Sequence, residues 1–251
     1  MTIKSAFLGL VRSVVPERLR PYGYLIHLAR TRTSCTVWSG PFQGMHVQGR
    51  TAIPQLLGTF ERELAPYIER AVERQPRLVV NLGAADGYYA IGMARRLPHA
   101  RVLAFEMEAR GRDLLQDMAT LNAVDNRVSV LGKCEPEDLA SALENDSDAL
   151  VICDVEGYEE KLLNPVVVPA LRRLPILVEL HDFIGPNVTE LLSRRFGATH
   201  DITHIWQQDR SVADFPCPTP LTALLRSRIE RLLSEERQVR MAWFWMEPRR
   251  G

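Results

Sequence analysis

Cysteine is sparse in this chain: Cys35, Cys134, Cys153 and Cys217 are the four among 251 residues, and no two are spaced as metal ligands. A disulfide framework and a zinc knuckle are therefore not expected, and the usage suits a reducing, cytoplasmic setting. No apolar run is long enough for a membrane span; the stretch Ala6–Val11 is too short. It follows a basic start, as a signal peptide would, but Arg12 interrupts it and no small-residue cleavage site follows. Internal repeats and low-complexity segments are absent. Net charge is also absent, with 31 basic and 31 acidic residues. The balance is uneven, however. Residues 1–50 carry Lys4, Arg12, Arg18, Arg20, Arg30, Arg32 and Arg50 against Glu17 alone, so the remainder is acidic. Such an arm suits an anionic partner or a membrane surface; the simpler reading is that it docks on the acidic body of its own chain. Lysine is scarce beyond residue 50, and no nucleic-acid partner is expected.

The most informative segment that is present is Leu78-Val-Val-Asn-Leu-Gly-Ala-Ala-Asp-Gly-Tyr-Tyr-Ala90. An apolar strand runs into a small-residue turn, Gly83 to Gly87, and then into a helical pattern. Gly83 and Gly87 remove Cβ atoms from a place where a ligand must come close, and the following helix start offers free N–H groups. The spacing is Gly-x-x-x-Gly, unlike the Gly-x-Gly-x-x-Gly of dinucleotide sites, which points to a different adenosine compound. Glu106 ends the next strand, roughly 20 residues past the turn, where a carboxylate accepts hydrogen bonds from ribose hydroxyls.

The spacing predicts strands at 77–82, 101–106, 127–131, 149–154, 174–181 and 200–206, with a last one over Met241–Met246. Helices are expected at 60–74 (capped by Thr59), 87–97, 109–123, 136–144, 157–163, 186–195 and 221–237. An amphipathic helix is expected over residues 1–30, broken by Pro16 and Pro21, and a turn-rich segment with short strands or a hairpin over 35–58. This alternation argues an α/β fold with a mostly parallel sheet covered on both faces, plus a mainly helical N-terminal extension. The expected division is an extension over 1–76 and a main domain over 77–251.

Ligands of such sheets bind at the carboxyl ends of the strands. The third strand end offers Gly132-Lys-Cys-Glu135, including Cys134, as a wall for a base. The fourth offers Asp154-Val-Glu-Gly-Tyr-Glu159 and the fifth Glu179-Leu-His-Asp182. His181 titrates near neutral pH and suits a proton acceptor, with Asp154 to orient it. Asp154 and Asp182 also suit a shared divalent cation such as magnesium. Glu159 reads as a helix-capping acid. His200 and His204 alternate onto one strand face, read as a solvated or substrate-facing edge and not as a metal pair.

The order Asn81-Leu-Gly-Ala-Ala-Asp-Gly87, Phe105-Glu106, Asp154-Val-Glu-Gly-Tyr-Glu159 and Val178-Glu-Leu-His181 resembles the FkbM-like branch of the class I S-adenosylmethionine-dependent methyltransferases over roughly residues 77–206. The resemblance implies a Rossmann-like seven-stranded sheet whose last strand is antiparallel. It implies S-adenosylmethionine as cofactor, bound by the Gly83–Gly87 loop and Glu106. Joined to the strand-end reading, the expected cofactor contacts are Asn81, Gly83, Ala85, Asp86, Gly87, Glu106, Met107, Cys134 and Asp154, and the expected catalytic residues are His181 as base and Asp154 as its orienting acid or a metal ligand. Asn81 stands where most such enzymes carry an acid, and Asp86 is the replacement charge for the cofactor's ammonium. The implied reaction is O-methylation of a small-molecule acceptor, a sugar or natural product. N-methylation of an amino-acid-derived or peptide substrate and a non-catalytic cofactor-binding module are the alternatives. No Asn/Asp-Pro-Pro-Tyr motif marks a nucleic-acid methyltransferase. Residues 1–76 and the last 45 are expected to close over the acceptor or to form a homodimer contact.

Overall fold

The computed structural model describes residues 35–48, 51–144, 148–184, 187–216, 218, 222 and 225–249. The expected helix over 1–30, the basic arm and part of the 221–237 helix lie outside the described residues.

Seven strands form one sheet: β1 (Leu78–Leu82), β2 (Arg101–Phe105), β3 (Val128–Leu131), β4 (Ala149–Cys153), β5 (Ile176–Glu179), β6 (His200–Trp206) and β7 (Ala242–Pro248). Their order is β3-β2-β1-β4-β5-β7-β6. Strands β1 to β5 pair in parallel, while β7 runs antiparallel to both β5 and β6. This is the Rossmann-like arrangement, and each expected strand is present within two residues of its bounds, β5 being two residues shorter at each end. β1 reads Leu-Val-Val-Asn-Leu with every residue buried, as a central parallel strand covered on both faces must be. One face carries Leu78, Val80 and Leu82 and the other Val79, each in its own apolar layer.

The described helices are α1 (Ile53–Leu57), α2 (Ala65–Glu73), α3 (Tyr88–Arg96), α4 (Ala109–Leu121), α5 (Pro136–Leu143), α6 (Glu159–Leu162), α7 (Val188–Phe196) and α8 (Arg226–Leu233). The helix expected from Phe60 starts later. Thr59 does not cap it: its hydroxyl donates to the Pro54 carbonyl at 3.4 Å, and a 3-10 turn over Arg62–Leu64 precedes α2. The segment expected to hold a hairpin keeps only the antiparallel bridge Thr36–His46, and α1 follows, with Pro54 early in the helix and Gly58 closing it in the left-handed region.

The described part of the N-terminal extension shares its core with the sheet. Val37, Phe42, Met45, Leu56, Leu64 and Ile68 belong to the same apolar layer as Val79, Ile91, Trp243 and Trp245. Phe42 lies flat on α3 where Gly92 leaves room; a Cβ there would sit 2.5 Å from the ring. The histidines of β6 separate, contrary to the expectation of one open edge. His200 is buried, with Nε2 2.9 Å from the Leu174 carbonyl oxygen and its ring edge-on to Phe196. His204 is exposed and stacks on Trp206 with ring centres 4.4 Å apart. Phe196, at the end of α7, packs on the His200 ring with centres 5.2 Å apart, whereas the ring partners of His204 are Trp206 and Phe244 of the sheet itself. No helix among the described residues is long and apolar enough to cross a membrane.

The Phe42–Gly92 contact predicts that Gly92→Ala destabilises the fold by about 1–3 kcal/mol through overpacking, despite the gain of roughly 1 kcal/mol in helix propensity. Gly132→Ala, whose Cβ meets nothing within 4 Å, is expected to change stability by less than about 0.5 kcal/mol. Urea denaturation of the two variants checks the contrast.

Candidate functional site

The strand order reverses between β1 and β4, and there the site is built. The two strand ends converge closely: the Asp154 amide donates to the Leu82 carbonyl at 2.9 Å. A Cβ on Gly83 would lie 1.6 Å from the Asp154 carbonyl oxygen, and Gly83 has φ +73°. Glycine at 83 is therefore required by the backbone of β4 itself, before any ligand is considered. A Gly83→Val variant consequently tests folding and not cofactor contact. Gly87, at φ +95°, serves the start of α3; its Cβ would crowd Ile91 and Leu115 at 3.1 Å.

Two compartments flank this crossing. The outer is a cleft of about 490 Å³ bounded by Gly83, Ala85, Phe105, Glu106, Met107, Glu108, Lys133, Cys134, Asp154, Val155, Glu156, Gly157, Tyr158 and Leu162. The inner is a cavity of about 90 Å³, with polar groups from Glu61, Asn81, Asp86, Tyr89, Asp154 and Glu179 between the aromatic walls of Phe60, Tyr88 and Trp243. Gly83, Ala85 and Asp154 line both. Of the residues expected to bind a cofactor, Gly83, Ala85, Glu106, Met107, Cys134 and Asp154 meet in the cleft, and Asn81 and Asp86 face the inner cavity. Gly87 and His181 line neither.

Glu106 is held rigidly. Its Oε2 accepts the Ala85 amide at 2.8 Å and its Oε1 the Glu108 amide at 2.7 Å. Gly111 of α4 lets the side chain pass, since a Cβ there would be 2.7 Å from its Cγ. Each carboxylate oxygen retains a lone pair for a ligand hydroxyl. The Tyr158 ring forms another wall, with its hydroxyl donating to Glu135 at 2.6 Å and Lys133 Nζ 4.5 Å above the ring. Burial pushes the Cys134 thiol up to about 12, so it meets a ligand as a small apolar group.

The inner cavity collects acids. Burial first, then the charge of Glu179, pushes Glu61 up to about 8 against the pull of Arg237. Burial first, then Asp154, pushes Glu179 up to about 8, and burial with the charge of Glu61 pushes Asp154 up to about 7. Arg237 bridges the cluster, pairing with Glu61, Glu179 and Glu235. Tyr89 donates its hydroxyl to Glu61. Two buried oxygens, Asn81 Oδ1 and Asp154 Oδ1, have no hydrogen-bond partner among the described residues, which marks them for a ligand donor.

His181 stands behind Asp154, 1% exposed. Its Nδ1 is 2.6 Å from Glu159 Oε1, and its Nε2 is 3.3 Å from Glu156 Oε2, 3.6 Å from Asp154 Oδ1 and 3.9 Å from Glu179 Oε2. Burial works against the imidazolium, but the Glu159 hydrogen bond and the surrounding carboxylates outweigh it, and the pKa is raised. Glu159 does accept the Gly157 amide at 3.2 Å before the start of α6, but it is also fully buried and orients His181. Asp182, expected to share a cation with Asp154, is instead spent at the start of α7, accepting the Thr189 amide at 2.9 Å and the Thr189 hydroxyl at 2.6 Å.

Sequence reasoning passed over Glu61, Tyr89, Arg237 and Trp243. Glu61 falls in the first turn of the helix expected over 60–74, and Arg237 at the end of the one expected over 221–237. Only the fold joins them, across 176 residues of chain.

No family model matches the sequence, and no curated protein matches it. Among solved structures the chain is similar to the O-methyltransferase from Bacillus cereus in complex with S-adenosylhomocysteine, at 13% identity and TM-score 0.45, covering 98% of this chain and 100% of that one. It is similar also to the O-methyltransferase TomG from Streptomyces achromogenes, involved in tomaymycin synthesis, in complex with S-adenosylmethionine, at 15% identity and TM-score 0.46, covering 97% and 96%. A precorrin-6y C5,15-methyltransferase from Geobacter metallireducens matches at 10% identity and TM-score 0.46, covering 73% and 86%.

The acid cluster carries a stability signature. Glu61 ionises near 4.5 in the unfolded chain and near 8 in the folded one, so the folded chain holds the extra proton between those values. Stability contributed by this group is present at low pH and falls as pH rises through that window. Glu61→Gln is expected to flatten the decline in melting temperature between about pH 5 and about pH 8; an unchanged slope would contradict the shift.

Proposed function

We propose that the chain is an S-adenosylmethionine-dependent methyltransferase of the FkbM-like kind, acting on a hydroxyl of a small-molecule acceptor. The observation that carries this reading is the shared wall. Gly83, Ala85 and Asp154 divide a cleft of about 490 Å³ from an acid-lined cavity at the sheet's switch point, which is the place for a donor on one side and an acceptor on the other. The residues fit the cofactor. Glu106 has free lone pairs for ribose hydroxyls, and Met107, Cys134 and Tyr158 offer an apolar wall to a base. The orphaned Asn81 Oδ1 and the Asp86 carboxylate suit an ammonium group.

When bound, the cofactor supplies a methyl group already activated on a sulfonium, so the chain contributes alignment, exclusion of water and handling of the acceptor's proton. Phe60, Tyr88 and Trp243 keep water from the inner cavity. Asp154 is the carboxylate that reaches both compartments, and it takes the acceptor's proton. His181, which lines neither, is a positioning residue that holds Asp154 from behind and is itself fixed by Glu159. The segment around Glu61 and Glu63 and the Arg237 region together close the acceptor side, through the pairing of Arg237 with Glu61 and of Arg210 with Glu63 and Glu235 at 2.8 and 2.6 Å. The same carboxylates suit an amine acceptor, the second reading, which a parallel assay with hydroxyl and amine acceptors separates.

Calorimetry with S-adenosylhomocysteine tests the proposal. Binding is expected, and Glu106→Ala is expected to weaken it by about 1.5–3 kcal/mol, the range for hydrogen bonds to a charged group. No binding, or equal affinity in the variant, would overturn the assignment. Asp154→Asn is expected to lower turnover at least about a hundredfold, whereas full turnover would move the proton elsewhere.

A further inference from the structure

Asp154, Glu156 and His181 each offer one ligand atom, and these atoms lie within 4.8 Å of one another. Nε2 of His181 is 3.3 Å from Glu156 Oε2 and 3.6 Å from Asp154 Oδ1. Bond lengths of about 2.0–2.2 Å to a tetrahedral or octahedral ion place neighbouring ligand atoms about 3.0–3.5 Å apart. The two distances from Nε2 are close to this.

Two further observations distinguish the trio from an ordinary acid patch. First, the imidazole is oriented as a ligand. Glu159, fully buried, lies 2.6 Å from Nδ1. A carboxylate there fixes the Nδ1–H tautomer and turns the Nε2 lone pair outward, as the outer partner of a metal-bound histidine does. Second, Asp154 Oδ1 is buried without a hydrogen-bond partner among the described residues. The backbone contributes by bringing Glu156 back over the ring: Glu156 has φ +49° and Gly157 φ +98°, a turn that reverses the chain directly after β4.

We infer that Asp154, Glu156 and His181 form a binding site for a divalent first-row transition ion, of which Zn2+ is the representative, at the rim of the cleft. One imidazole with two carboxylates suits such an ion, whereas Mg2+ prefers an all-oxygen octahedron and keeps its water. Three protein ligands leave at least one position open, as catalytic sites do. Because Asp154 also walls the inner cavity, an ion bound there draws charge from the carboxylate that faces the acceptor and so tunes its uptake of the acceptor's proton. This last consequence rests on the methyltransferase reading; occupation of the site does not.

The test is calorimetric titration of the full chain with Zn2+, alone and with excess Mg2+, beside Glu156→Gln. The Glu156 side chain is 77% exposed, so this variant keeps the fold even where a change at buried His181 does not. The wild type is expected to bind one Zn2+ that excess Mg2+ does not displace, with affinity reduced at least about tenfold in Glu156→Gln. Glu159→Gln, which perturbs only the outer partner, is expected to cost about 10–100-fold. No bound Zn2+, unchanged affinity in Glu156→Gln, or ready displacement by Mg2+ would overturn the site and leave His181 as an imidazolium holding its acids together. Titration of the metal-free wild type with S-adenosylhomocysteine reads the methyltransferase assignment separately: loss of Zn2+ binding with retained nucleoside binding refutes only the ion site, and the reverse result refutes only the assignment.

Discussion

The approach of Gly83 to the Asp154 carbonyl is the constraint on which the rest depends. β1 and β4 are adjacent and parallel, in register from Leu78–Ala149 to Leu82–Cys153, and their chains then leave in opposite directions. At that divergence the two backbones meet where no Cβ fits. The loop of β1 can therefore fold back over the sheet edge, carrying Ala85 to the Glu106 carboxylate and opening a cleft on one side and a cavity on the other. A side chain at 83 would push β4 away and, with it, Asp154 from the wall that both compartments share.

Around that wall the chain concentrates acids that water would ordinarily stabilise. Glu61, Asp154, Glu179 and the Glu159–His181 pair come from three separate segments, the one before α2 and the ends of β4 and β5, and desolvation raises the carboxyls that face the inner cavity. Arg237 restrains the arrangement while resting over the Phe60 and Trp243 rings. A protein keeps such costly groups together where their chemistry is used. Under the proposed function that use is to receive a proton and to hold a polar acceptor beside a bound methyl donor. The same clustering makes the site responsive to a cation, since an ion at His181 would neutralise part of the charge.

Much of the sheet was legible in the sequence because its strands are buried on both faces and read as continuous apolar runs ending in polar or glycine turns. Leu78–Leu82, Ala149–Cys153 and the tryptophan-rich β7 are of this kind. The cleft was legible for the same reason: Gly83, Ala85, Glu106, Met107, Cys134 and Asp154 all follow strand ends, so local order fixes their placement. The inner cavity was not. Glu61 and Arg237 have no local pattern that predicts burial, and neither the Glu159 contact to His181 nor the Asp182 contact to Thr189 has one. Glu159 turns inward to the buried His181 ring, and the Thr189 amide and hydroxyl claim Asp182. His200 misled for a related reason, because strand alternation tells which residues share a face but not how far a helix covers it.

The central claim is that a nucleoside methyl donor occupies the outer cleft with Asp154 as the partition from the acceptor. A crystal structure of the protein soaked with S-adenosylhomocysteine tests it most directly. The account predicts the ribose hydroxyls against Glu106, the base between Met107 and Cys134, and the sulfur facing Asp154. Density for the nucleoside outside that cleft, or a cleft left open at saturating ligand, would contradict it.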